Sequence, residues 1–149
     1  MPAFALTIFV GAFLLFQVQP LIGKYILPWF GGSPGVWTTC MLFFQVLLLG
    51  GYAYAHALGR RLRPRGQVVA HLVLLTAALA TLPITPSEAW KPVDSADPTW
   101  RILALLLVSL GLPYLVVAAT GPLMQEWFRR TSPGVSPYRL YALSNVGSL

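Results

Sequence analysis

The sequence predicts an all-α, polytopic transmembrane helix bundle, and three observations carry that expectation. The chain of 149 residues is 56% hydrophobic and only 9% charged, whereas a soluble domain carries about 25% charged residues. Its mean hydropathy is +0.69. There are too few charges to cover a surface facing water, so lipid is the expected solvent for most of the chain. Finally, the apolar residues fall into long blocks separated by short polar or basic segments. A helix satisfies its own backbone in hydrocarbon and an open strand does not, so the blocks are read as helices.

The first block covers residues 3–27. No Lys or Arg precedes it, so it reads as a retained helix and not as a cleaved signal peptide. It ends in FQVQPLIGKYILPWFGGSPG. Lys24 can snorkel to the membrane interface. Gln17 and Gln19 lie deeper, and their amides need partners there, so both are expected to face protein and not lipid. Pro20 removes the donor that would bond the Phe16 carbonyl, and a kink is expected at that point. The GGSPG segment reads as a tight turn. It is not a nucleotide loop, because no strand precedes it and no Lys-Ser/Thr pair follows.

The second block, residues 36–58, leads into Gly59, and Gly51, Ala55 and Gly59 recur at a spacing of four. Such a stripe of small residues lets another helix approach closely. The third block, residues 67–83, is the shortest. The loop after it holds Glu88, Asp94 and Asp97 among Pro86, Pro92 and Pro98, a composition expected of an irregular solvated loop. The fourth block, residues 102–120, contains Gly111 and Pro113, where a bend is expected. GPLMQEWFRR then leads out of the membrane, and Glu126 is placed to pair with Arg129 or Arg130 along a helical face. A fifth helix is expected to start near residue 137, with Ser136 as its N-cap and Pro137 as its first residue. The remaining stretch would rise roughly 20 Å as helix, short of the roughly 30 Å hydrocarbon core. The expectation is therefore four complete helices and the start of a fifth in a single membrane domain, residues 1–149, forming the front part of a longer chain whose remaining helices would be its partners.

The net charge is +6, but the basic residues cluster between apolar blocks, which argues against nucleic acid and for topology signals. A cytoplasmic N-terminus puts seven basic residues inside (Arg60, Arg61, Arg63, Arg65, Arg129, Arg130, Arg139) and three outside (Lys24, Lys91, Arg101). Trp29, Trp37, Trp90 and Trp100 would then mark the outer boundary. The expected location is the cell inner membrane, multi-pass, with the lipid bilayer as partner. Cys40 is the only cysteine, so no internal disulfide can form.

Chemistry-bearing patterns are sparse. There is no Ser-His-Asp arrangement, no catalytic pair of carboxylates and no metal-ligand spacing. His56 and His71 are isolated and read as interfacial polar residues. No catalytic, cofactor-binding or metal-binding residue is assigned, and an enzyme confined to this chain is not expected. The polar residues available to a cavity are Gln17, Gln19, Thr38, Thr39 and Gln45. They frame two readings. A transporter-like domain for a small-molecule substrate needs a water-accessible polar interior, whereas a structural anchor needs only sealed packing.

FLLFQVQPLIGKYILPWFGGSPGVWTTCMLFFQVLLLGGYAYAH, followed by RRLRPRGQ, resembles the N-terminal membrane region of bacterial fused major-facilitator-like/spermidine-synthase-like integral membrane proteins. ATGPLMQEWFRR and PYRLYALSNVGSL fit the same family in the same order. The resemblance implies further membrane helices and, in many members, a soluble aminopropyltransferase-like domain for which this region would be the anchor. The segment AHALGRRLRPRG is similar to the basic loop of major facilitators between their second and third helices. It lacks that motif's aspartate, and His56 stands near its place.

Overall fold

The structure is a computed structural model that describes residues 2–92, 97–134 and 138–149. Its elements are α1 (Pro2–Phe30), α2 (Pro34–Arg61), α3 (Pro64–Ala80), a 3₁₀ turn (Glu88–Trp90), α4 (Thr99–Thr131) and α5 (Tyr138–Gly147). The described elements are all helical, in agreement with the all-α expectation.

Several boundaries differ from the sequence reading, mostly at prolines. Proline starts α2 and α3, where its missing N–H is no loss and its fixed φ suits the first turn. Both helices therefore begin earlier than residues 36 and 67. Ser33 caps α2, its hydroxyl accepting from the Val36 N–H at 3.4 Å. The helix α3 stops at Ala80 and not at residue 83, with the Thr81 hydroxyl donating to the Ala78 carbonyl at 2.7 Å. Helix α1 runs unbroken through Pro20 and Pro28. Helix α4 runs through Pro113 and Pro122 for 33 residues, well past residue 120. Asp94, Ser136 and Pro137 lie outside the described residues.

Among the described residues, three helices, α1, α2 and α4, are long and apolar enough to cross a membrane. Helix α3 has 17 residues and rises about 25 Å, less than the roughly 30 Å core. The expected fourth complete span is thus not reached by helix length alone. Apolar side chains cover the outward faces: Leu49, Val73 and Val108 are 69%, 64% and 68% exposed. Apolar surface on this scale is what a bilayer environment covers.

Helix α4 is the hub, packing against α1, α2 and α3. Its Ile102, Leu105, Leu106, Leu110 and Tyr114 join Ile22, Ile26, Val36, Cys40 and Phe44 in the largest core cluster. Ala119 and Leu123 of α4 meet Ala55 and Leu58 of α2 in a second cluster. Leu140 of α5, Ile8 of α1 and Phe128 of α4 form a third. Two glycines set the closest approaches. A Cβ on Gly51 would lie 2.7 Å from Ala118 Cβ and 3.0 Å from both the Leu115 carbonyl oxygen and Ala119 N. A Cβ on Gly147 would lie 2.6 Å from the Phe9 carbonyl oxygen, so this glycine lets α5 lie directly on the α1 backbone.

Candidate functional site

A cleft of about 360 Å³ opens between α1, α2, α4 and α5. Its polar lining comes from Gln19 on α1, Tyr52 on α2, Tyr114 and Gln125 on α4, and Tyr141, Ser144 and Asn145 on α5. The helical repeat explains the convergence. Tyr114 and Gln125 are eleven residues apart, about three turns, so they share one face of α4. Ser144 and Asn145 reach the cleft because Gly147 seats α5 against α1. Gln19 Nε2 donates to Tyr114 Oη at 2.6 Å, tying α1 to α4 across the cleft wall. The Tyr114 ring is held from behind by Phe44, with centroids 5.1 Å apart. The cleft therefore presents amide and hydroxyl groups but no charged side chain, an arrangement suited to hydrogen-bonding a polar solute.

Of the five residues expected to line a polar interior, Gln19 lies here. Gln17 does not: it is exposed on α1, and among the described residues no hydrogen bond holds it. Two residues subtend about 200° on a helix, and Pro20 does not interrupt α1, so the two amides point apart. Thr38 and Thr39 satisfy their hydroxyls locally, donating to the Pro34 and Gly35 carbonyls at 2.8 and 2.9 Å. Such bonding back to the preceding turn needs no cavity. Gln45 is exposed on α2. In the small-residue stripe, Gly51 and Ala55 are buried against α4, whereas a Cβ on Gly59 would meet nothing within 4 Å. The expectation of close packing is corrected at Gly59, because α2 and α4 part there around a second pocket.

A second polar group, between α3 and α4, was not anticipated. Gln67 is fully buried; its Nε2 donates to the Leu62 carbonyl at 2.8 Å and its Oε1 accepts from Trp127 Nε1 at 2.8 Å. One turn on, His71 Nε2 lies 3.1 Å from Thr120 Oγ1. The Thr120 hydroxyl donates to the Val116 carbonyl at 2.8 Å, so Nε2 must be the donor to it. His71 is thus a buried interhelical group and not an interfacial one. Gln67 and His71 are four apart, and Thr120 and Trp127 seven apart. Those spacings, each placing two polar groups on one face, were the available signal.

At the Trp29 end, Lys91 Nζ sits 2.7 Å from Glu88 Oε1 and 5.3 Å from the Trp29 ring centroid, tying the loop to α1. At the opposite end, Glu126 takes both Arg129, through two 2.9 Å bonds, and Arg130, through one of 2.6 Å. Neither contact builds a catalytic arrangement. No protein-family model matches this chain, and no curated protein or solved structure matches it.

Proposed function

We propose that this chain is a transporter-like domain of the cell inner membrane that passes a small polar solute through the cleft of Gln19, Tyr52, Tyr114 and Gln125. The observation that carries the reading is the cleft itself. Polar side chains at membrane depth are costly unless they serve each other or a wet cavity, and of the cleft's side chains, among the described residues, only Gln19 and Tyr114 pair directly. An anchor for an aminopropyltransferase-like domain would need no such opening. The proposal includes a cytoplasmic N-terminus, because seven of the ten basic residues then lie inside. In that topology α3, with its flanking residues, completes a fourth crossing. The resemblance to fused major-facilitator-like/spermidine-synthase-like proteins agrees with such a membrane domain.

Water access separates transport from anchoring. Ser144→Cys, in a Cys40→Ser background that removes the native thiol, should react with a membrane-impermeant maleimide. A thiol in a sealed anchor would stay unmodified at the rate of one placed at Leu49 on the outer apolar face. Ser87→Cys, in the loop after α3, should label from the periplasmic side; labelling from the cytoplasmic side alone would reverse the topology.

A further inference from the structure

One end of the bundle is strongly basic. Arg60, Arg61, Arg63, Arg65, Arg129 and Arg130 gather there, among the described residues, against a single carboxylate, Glu126. Boundary charge accounts for arginines that point into solvent. Three side chains differ, because His56 and Arg60 of α2 and Arg130 of α4 line a shared pocket of about 380 Å³. The Glu126 oxygens in that pocket are already engaged by Arg129 and by Arg130 Nε. Among the described residues, the terminal nitrogens of Arg130 make no protein bond, and neither Arg60 nor His56 has a hydrogen-bond or ion-pair partner.

We propose that this pocket binds a phosphate-type oxyanion, held by the Arg60 and Arg130 guanidiniums with His56 as a further donor. Guanidinium forks match tetrahedral oxyanions and form charge-assisted hydrogen bonds that are about twice as strong as neutral ones. Glu126 positions Arg130 without cancelling the pocket, since two arginines share its one charge. The anion can be the headgroup of an anionic lipid or a free phosphate from the aqueous side. Tyr52 and Pro122 line both this pocket and the polar cleft, which puts the anion at the mouth of the cleft. Assigning phosphate-bearing solutes as the transported class rests on the transport reading; the binding itself does not.

The test uses the whole chain in phosphatidylcholine nanodiscs, following thermal unfolding against added inorganic phosphate, with sodium chloride at equal ionic strength as control. A second arm replaces part of the lipid with phosphatidylglycerol and adds no phosphate. Stabilisation by phosphate in neutral discs supports the proposal with a free anion as occupant; stabilisation by phosphatidylglycerol alone supports it with a lipid headgroup. Arg60→Gln and Arg130→Gln should each weaken the response on the order of tenfold, the loss of a charge-assisted contact. Arg61→Gln removes the same charge outside the pocket and should stay within about twofold, because solvent and salt screen it. Arg60→Lys keeps the charge without the fork and should fall between, which separates lost binding from lost folding. No response to either anion overturns the proposal, as does a wild-type response in Arg60→Gln or an equal loss in Arg61→Gln. Intact phosphate binding with no uptake of labelled phosphate into proteoliposomes refutes only the assignment of phosphate as the transported solute.

Discussion

Gly51→Ala should destabilise the bundle, although the same change at an unconstrained helical glycine stabilises it. The added carbon would sit 2.7 Å from Ala118 Cβ, roughly 0.8 Å inside the roughly 3.5 Å at which carbon atoms attract. Its other two neighbours, the Leu115 carbonyl oxygen and Ala119 N at 3.0 Å, are backbone atoms. No rotamer change relieves any of the three, so α2 and α4 must move apart. Overpacking of this kind costs about 1–3 kcal/mol, and the gain in helix propensity returns about 1 kcal/mol. Gly59→Ala provides the internal reference, since its Cβ meets nothing within 4 Å. The propensity gain is common to both variants and cancels, leaving an expected difference of about 1–3 kcal/mol in favour of Gly59→Ala. Equilibrium unfolding of both full-length variants in mixed micelles measures it directly. Equal stability would refute the claim that α2 and α4 touch backbone to backbone at Gly51.

Three further outcomes follow from the polar contacts. Gln67→Leu should cost about 1–3 kcal/mol by stranding the half-buried Trp127 indole N–H, and adding Trp127→Phe should restore part of that; strictly additive losses in unfolding midpoints would contradict the pairing. Tyr114→Phe should cost on the order of 0.6 kcal/mol, the average for a hydrogen bond between membrane helices, while Gln17→Leu, at an exposed and unbonded position, should leave the midpoint unchanged. The Thr99 N–H donates to Asp97 Oδ1 at 2.9 Å and holds that carboxyl below its usual range. A depressed folded pKa gives a contribution present above the unfolded value and lost as pH falls through the folded one. Wild type and Asp97→Asn should therefore differ in stability at neutral pH and converge in acid; a constant gap across the titration would show that the carboxylate contributes nothing through its charge.

The helices were legible because each long apolar block has one economical solution in lipid. Their ends were less so, because proline carries two opposite meanings. Pro34 and Pro64 open helices, whereas Pro20, Pro28, Pro113 and Pro122 sit inside them. The backbone groups a proline frees can be satisfied by neighbouring helices, which a local reading of Gly121-Pro122 does not reveal. Gln19 was identifiable from its depth, but its partner Tyr114 is 95 residues away. The same distance problem hid the pairs from Gln67 to Trp127 and from His71 to Thr120, which are 60 and 49 residues apart. Each half looked like an ordinary boundary residue; only the packing of α3 on α4 joins them. Gln17 shows the converse: its depth in the block suggested a protein-facing amide, but two residues on a helix lie about 200° round from each other, and the period places Gln17 away from the face that carries Gln19.

Helix α4 shows why that packing takes the form it does. Taking about 100° per residue, Tyr114 and Gln125 lie within about 20° of each other and mark the cleft face. Leu115, Ala118, Ala119, Pro122 and Leu123 centre about 100° further round, where α2 approaches through Gly51 and Ala55. Thr120 and Trp127 lie about 120° away on the far side, where α3 supplies His71 and Gln67. Polar groups therefore occupy two separate sectors of α4, with small residues between them. Rotating this helix to expose either polar sector to lipid would strand an amide, a hydroxyl or an indole N–H in hydrocarbon, at a cost of several kcal/mol per group. The central position of α4 thus follows from its own sequence, since its polar residues find partners on two sides. The opening of the cleft follows as well, since the Tyr114 sector is closed by a single bond from Gln19 and otherwise faces the hydroxyls and amides of α2 and α5 across open space.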